Sequence, residues 1–295
     1  MPELPIVATA SQWVEGARPR TLPAAISPVL AGTGAAAYAE SVIWWRAVLC
    51  LVLALLLQIG VNYANDYSDG IRGTDDERVG PLRLVGSGVA TSSSVRTAAF
   101  LCFALAAVAG VVLAAVTSWW LLLVGAAAIA AAWFYTGGSN PYGYRAMGEV
   151  SVFVFFGLVA GVGTTYVQVE AITWPSVGAA IGAGSLICAI LVANNLRDIP
   201  SDSMTDKRTL AVVLGDRGTR VLFVALQVVA VATLLALVPA TPWAMLGLIA
   251  VAPGVRACIP VVRGATGMAL IAVLRDTGMT ALAYGIGLGI GLALG

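Results

Sequence analysis

The sequence predicts an all-α, polytopic membrane protein with nine transmembrane helices. Three observations predict it. Of the 295 residues, 59% are hydrophobic and only 11% are charged, where a soluble domain carries about 25%. The charges leave long gaps, with none in 97–144, 171–196 or 221–255, and each gap has room for one or two bilayer-crossing helices of roughly 20 residues. The third observation is the lack of any polar outer face in these runs, which the helices of a large soluble core would need.

Gly, Pro, Trp and charge punctuate the chain into spans. The first, near 21–40, lies between Arg20 and Glu40, and the second, near 45–66, runs from Trp45 into a polar island. The third, near 96–115, starts at Arg96; the fourth, near 119–136, runs from Trp119 to the Gly137-Gly138 pair. The fifth, near 147–167, follows a Pro- and Gly-containing loop, and the sixth, near 174–198, opens on Trp174-Pro175. The seventh spans about 219–238. The eighth, near 242–262, is the weakest, because Pro253, Gly254 and Arg256 interrupt it. The ninth runs from about 277 to the end.

Both being even-numbered, spans two and six put the loops after them on the same side. Fourteen of the sixteen Lys and Arg fall on that side, Arg46 falls opposite, and Arg256 is ambiguous. By the positive-inside rule this side is cytoplasmic, with the N-terminus in and the C-terminus out. The expected location is the cell membrane, multi-pass. No basic stretch leading into a long apolar run opens the chain, so no cleaved signal is expected. Asn65-Asp66-x-x-Asp69 and Asn194-Asn195-x-x-Asp198 repeat at an offset of 129 residues. One domain over 1–295 is therefore expected, with a pseudo-repeat of about 20–136 and 147–262 and a final helix over 277–295.

Composition excludes several chemistries. There is no histidine, which removes His-based zinc sites and Ser-His-Asp triads. The four cysteines stand singly in apolar runs, without the paired spacing of a metal cage or a disulfide framework. A net charge of +1 gives no reason to expect nucleic acid.

The two polar islands carry the functional signal. The stretch "NYANDYSDGIRGTDDERVGP" (62–81) holds five of the fifteen acidic residues, and "ANNLRDIPSDSMTDKRTLAV" covers 193–212. Residues three and four apart share a helix face. Asn62, Asn65, Asp66 and Asp69 thus cluster at the end of span two, and Asn194, Asp198 and Asp202 form a stripe at the end of span six. Pro200 is expected to end or kink that helix. These are hard oxygen ligands suited to Mg²⁺, which takes one or two carboxylates together with phosphates and water. Arg72, Arg78, Arg83, Lys207 and Arg208 stand nearby to neutralise a diphosphate. A solvated loop explains scattered charge, but it explains less well why Asn and Asp sit on apolar helix ends, where polar groups are costly.

The chemistry that needs this arrangement is ionisation of an allylic pyrophosphate. The cation left behind must be shielded from water and faced by aromatic rings. Tyr63, Tyr67, Tyr135, Tyr142, Tyr144 and Tyr166 are candidates, although an interfacial belt accounts for each of them too. A cation-coupled transporter also explains polar residues in spans, but its site belongs near the midplane. A lipid phosphotransferase is a further alternative. Two carboxylate clusters converging without metal would repel. Asp198→Asn is therefore expected to leave the empty protein no less stable.

The stretches "NDYSDGIRGTDDERVGPLRLVGSG" and "NNLRDIPSDSMTDKRTLAVVLGDRGTR" resemble the two signature loops of the UbiA superfamily of intramembrane aromatic prenyltransferases. "GARPRTLPAAISPVLAGTGAA", "WFYTGGSNPYGYRAMGEVSVFVFFGLVAGVGT" and "VLRDTG" match as well, so the resemblance covers nearly the whole chain. "ARPRTLP" and "YTGGSNPYGY" favour the branch that prenylates 1,4-dihydroxy-2-naphthoate over other aromatic acceptors. The resemblance implies nine helices around a central cavity with a cytoplasmic cap. It implies transfer of a polyprenyl group from polyprenyl diphosphate to 1,4-dihydroxy-2-naphthoate, with loss of CO₂ and pyrophosphate and with Mg²⁺ as cofactor. Asn65, Asp66 and Asp69 match the first motif and Asp198 and Asp202 the second; Gly73 stands where the first motif has its last Asp, with Asp75 and Asp76 just after it. The expected catalytic residues are Asn65, Asp66, Asp69, Asp198 and Asp202, of which Asn65, Asp69, Asp198 and Asp202 hold metal. The expected substrate contacts are Asn62, Arg72, Tyr135, Arg145, Asn194, Lys207 and Arg208. Arg145 is a candidate for the acceptor carboxylate, with Glu149 as its partner.

Overall fold

The computed structural model describes residues 8–73, 82–205 and 207–295. Every element of length among them is helical: α1 (Ala10–Gly16), α2 (Pro23–Tyr38), α3 (Trp44–Arg72), α4 (Ser92–Val116), α5 (Leu121–Phe134), α6 (Gly148–Val152), α7 (Ala160–Val169), α8 (Trp174–Asp202), α9 (Leu210–Leu237), α10 (Val251–Val262) and α11 (Ala269–Ala293). A π-helical stretch, Phe153–Val159, joins α6 to α7, and a 3-10 stretch, Pro242–Ala250, leads into α10.

Local chemistry sets the ends. Thr91, Thr173, Thr209 and Thr241 cap helix N-termini with their side-chain oxygens, supplying acceptors for otherwise unpaired amides. Gly73, left-handed at φ 71°, stops α3, the usual place for a residue without Cβ. Pro200 does not end its helix. It lies in the last turn of α8, which continues to Asp202.

Among the described residues seven helical segments, not nine, are long and apolar enough to cross a membrane: Trp44–Arg72, Ser92–Val116, Gly148–Val169, Trp174–Asp202, Leu210–Leu237, Pro242–Val262 and Ala269–Ala293. The first and fourth expected spans fall short. α2 has 16 residues and α5 has 14, or about 24 and 21 Å at 1.5 Å per residue, against a hydrocarbon core of about 30 Å. The Pro19–Thr21 turn delays the start of α2, and Thr136-Gly137-Gly138, with Gly138 at φ 77°, follows directly on the end of α5. The ninth helix starts at Ala269, earlier than expected, and includes Arg275 and Asp276.

The short α5 still returns the chain from one end of the bundle to the other. At one end Arg46 donates to the carbonyls of Val116 (2.9 Å) and Val167 (2.7 Å). At the other, Thr136 donates to Asn65 (2.8 Å), Tyr144 donates to Asp69 (2.6 Å), and the amide of Arg208 donates to the carbonyl of Tyr144 (3.0 Å). Both polar islands therefore sit at the same end.

The main core lies among α2, α8, α9 and α11, with Leu186, Leu234, Tyr284 and Leu288 fully enclosed. The Gly-rich C-terminal helix packs inside this bundle. A Cβ on Gly285 would lie 2.6 Å from the carbonyl oxygen of Ser27, so only glycine lets α11 come this close to α2.

Candidate active site

One stripe of α3 organises the site. Cys50, Leu53, Ala54, Leu57, Gln58, Val61, Asn62, Asn65 and Asp69 all line a single cavity of about 1180 Å³. Their spacing of three and four is one helix face. The face is apolar from Cys50 to Leu57 and polar from Gln58 to Asp69, apart from Val61. At 1.5 Å per residue it runs about 28 Å from Asp69 to Cys50. The opposite wall comes from α5, Phe153–Val159 and α7, which supply Val124, Ala128, Phe155, Phe156 and Val159.

The polar end is built from both islands. Asp69 is 4% exposed; it accepts from Tyr144 Oη at 2.6 Å and pairs with Arg83 at 3.4 Å. Tyr144 also lies between two cations, with Arg72 5.6 Å and Lys207 5.5 Å from its ring centre. Lys207 in turn pairs with Asp202 at 3.3 Å. Tyr144 thus links Asp69 on α3 to Asp202 on α8. Among the six aromatic candidates from the sequence, this one has a polar role.

On α8, Arg197 binds Asp198 with two bonds, 2.7 Å from Nε and 2.8 Å from Nη2, and also donates to Asn194 Oδ1 at 2.8 Å. Arg197 and Asp198 are both buried. Without metal, the carboxylates are therefore neutralised by Arg83, Arg197 and Lys207. In the empty protein Asp69, Asp198 and Asp202 each have a cation in contact, which offsets the expected repulsion among them.

Six of the expected site residues line the cavity: Asn62, Asn65, Asp69, Tyr135, Asn194 and Lys207. Asn62 donates to the Ala17 carbonyl (2.9 Å) and to Thr21 Oγ1 (3.0 Å), tying α3 to the turn before α2. Tyr135 stands edge to face with Tyr142, ring centres 5.6 Å apart. Its ring rests on Gly143 and Gly148, where a Cβ would meet it at 3.2 and 2.9 Å.

The other expected residues stand off the cavity. Asp66, wholly buried, accepts from the backbone amides of Leu84 (2.7 Å) and Val85 (3.0 Å), so it anchors the return of the loop. Asp198 and Asp202 sit behind Arg197 and Lys207, which do line the cavity. Arg72 donates to the carbonyls of Thr136 and Gly138. Arg208 is exposed. Arg145 is also exposed and donates to Asn140 Oδ1. Glu149 does not pair with Arg145: it is buried, accepts from Asn195 at 2.9 Å, and leaves Oε2 without a hydrogen bond. Arg78, Asp75 and Asp76 lie outside the described residues.

Sequence reasoning missed Arg18, Arg20, Arg197 and Arg275 as cavity residues. "ARPRTLP" and "VLRDTG" were the available signal, but periodicity cannot say that the turn before α2 and the first turns of α11 meet each other at the cavity.

The expected donors, Asn65 and Asp69 on α3 and Asp198 and Asp202 on α8, are all oxygen, the chemistry that Mg²⁺ takes. Among the described residues no group of three acidic, His or Cys side chains forms a ready cage, as suits an ion whose shell is completed by substrate phosphates and water.

The sequence profile of the UbiA prenyltransferase family matches residues 25–290. The chain is 56% identical to a protein of Mycobacterium tuberculosis named 1,4-dihydroxy-2-naphthoate octaprenyltransferase, over 98% of this chain and 99% of that one. It is 34% identical to the Escherichia coli protein of the same name, over 72% of each. Among solved structures, a UbiA homolog from Archaeoglobus fulgidus bound to GPP and Mg²⁺ superposes with a TM-score of 0.69 at 14% identity, covering 96% of this chain and 100% of that one.

Proposed function

The chain belongs to the UbiA prenyltransferase family, and from that premise we propose that it transfers a polyprenyl group from polyprenyl diphosphate to 1,4-dihydroxy-2-naphthoate, giving demethylmenaquinol, CO₂ and pyrophosphate. The observation that carries this reading is the single α3 stripe. It runs about 28 Å in all, with amides and a carboxylate at one end of the cavity and apolar residues from Leu57 to Cys50 below them, the shape of a polar head joined to an apolar tail. The acceptor follows from the 56% identical relative and its name.

At the polar end, Arg18, Arg20, Arg83, Arg197, Lys207 and Arg275 face the cavity and neutralise the charge that grows on the departing diphosphate. Asn65, Asp69, Asp198 and Asp202 are the residues that would hold Mg²⁺. When bound, the ion supplies Lewis-acid pull on the diphosphate oxygens. The C–O bond breaks and leaves an allylic cation. Tyr135 and Tyr142 offer ring faces beside it, and the apolar wall below excludes water. The electron-rich naphthalene ring then forms the C–C bond, and the carboxylate leaves as CO₂. Until that point the carboxylate needs a cation. Arg145 does not line the cavity, so this role passes to Arg20, in the turn that does.

The end carrying the two islands is cytoplasmic and the C-terminus lies outside, in the cell membrane. The chain is one domain of two four-span units, α2 to α5 and then α6–α7 as one span with α8, α9 and α10, with α11 closing the bundle. The test is transfer of radiolabelled prenyl diphosphate to 1,4-dihydroxy-2-naphthoate by the purified protein in lipid. Product should form, vanish with EDTA and return with Mg²⁺. No product, or equal product from 4-hydroxybenzoate, would overturn the reading.

A further inference from the structure

We propose that Trp120 and Tyr166 form the floor of the tail channel and set the length of prenyl donor that the protein uses best. This inference rests on the prenyl-transfer reading above. Trp120 Nε1 donates to Tyr166 Oη at 3.1 Å, with the rings edge to face at 5.2 Å. The pair joins the start of α5 to the end of α7, and both side chains line the cavity. α5 packs on α3 and α4 and has scarcely any contact with α7. At the near end the Tyr142 hydroxyl spans the same gap, 2.7 Å from both the Ala131 carbonyl and Ser151 Oγ. The cavity wall is thus a slot between two helices, clasped at each end.

Beneath the far clasp lies a second seal. Arg46, four residues before Cys50 on α3, binds the carbonyls of Val116 and Val167 and pairs with Glu170 at 3.6 Å. A tail following the α3 stripe from Asp69 therefore meets the aromatic pair after about 28 Å. A belt of interfacial aromatics would place such rings at the same depth, but it gives them no influence on which donor reacts.

Two glycines make the idea testable. A Cβ on Gly163 of α7 or Gly125 of α5 would meet nothing within 4 Å, and both residues line the cavity. Gly163 lies one turn above Tyr166, so Gly163→Phe raises the floor without a backbone clash. Trp120→Ala lowers it. The experiment measures kcat/KM for geranyl, farnesyl, geranylgeranyl and octaprenyl diphosphates with the parent and both variants in lipid nanodiscs. Gly125→Leu replaces Gly163→Phe if the latter does not fold. Raising the floor should cut the octaprenyl-to-geranyl ratio about tenfold or more, with geranyl transfer within about twofold of the parent. Trp120→Ala should shift the ratio the other way. Equal ratios in all the proteins, or equal loss for every donor, would overturn the proposal, since the tail would then leave through the slot. A parent inactive with every donor would instead remove the prenyl-transfer reading itself.

Discussion

Replacing Asp198 by Asn removes a charge from a pair that the fold has already buried. Asp198 and Arg197 are 5% and 7% exposed, and two short bonds join them. Removing one partner of such a pair costs about 3–5 kcal/mol, because the other charge is left uncompensated. Asn keeps one acceptor oxygen, and Asn194 still accepts from Arg197 Nη2, so the cost should fall near the lower end, about 3 kcal/mol. At roughly 2–4 °C per kcal/mol for chains somewhat shorter than this one, the melting point of the empty protein should drop by about 6–12 °C. The assay is thermal unfolding in detergent without Mg²⁺ or diphosphate. Arg197→Met combined with Asp198→Leu removes both charges and keeps apolar volume. It should recover most of the lost stability, while prenyl transfer stays abolished. An Asp198→Asn protein that melts with the parent would refute this reasoning and restore the mutual repulsion of bare carboxylates. A double variant no better than the single one would show that the pair is not what holds α8 here.

Tyr144→Phe keeps the ring between Arg72 and Lys207 but removes the 2.6 Å bond to Asp69. A hydrogen bond to a charged group contributes about 1.5–3 kcal/mol, so the Mg²⁺ concentration for half-maximal activity should rise about tenfold or more. Tyr38→Phe, whose hydroxyl meets Ala240 at the other end of the bundle, should leave it unchanged; equal shifts would deny Tyr144 its link to the site. For orientation, a cysteine at Ser203 should react with an impermeant maleimide only from the cytoplasmic side and one at Ala171 only from outside. The reverse pattern would invert the proposed substrate access.

Much of this protein was legible in the order of its residues. Long gaps between charges are a one-dimensional property, and so is the basic bias of the loops, so membrane helices and the shared end of the two islands follow from the sequence. Helical spacing likewise marks Asn62, Asn65 and Asp69 as one face. Spacing alone does not decide what packs against a face. Asp66 is adjacent to Asn65 and therefore turned about 100° from it. Only the fold shows that this turn aims Asp66 at the amides of Leu84 and Val85 and leaves Asn65 on the cavity. The same holds for the cations. Arg18, Arg20, Arg197 and Arg275 lie far apart in the chain and come together because the turn before α2, the end of α8 and the start of α11 all border the cavity. Glu149 binds Asn195 and not nearby Arg145, because burial demands a hydrogen-bonding partner inside the bundle while Arg145 faces out. Helix length was likewise decided in three dimensions. α2 and α5 are too short to cross alone, and the apolar residues beyond their ends go into turns that position Thr136, Tyr144 and the Arg18–Arg20 segment at the site.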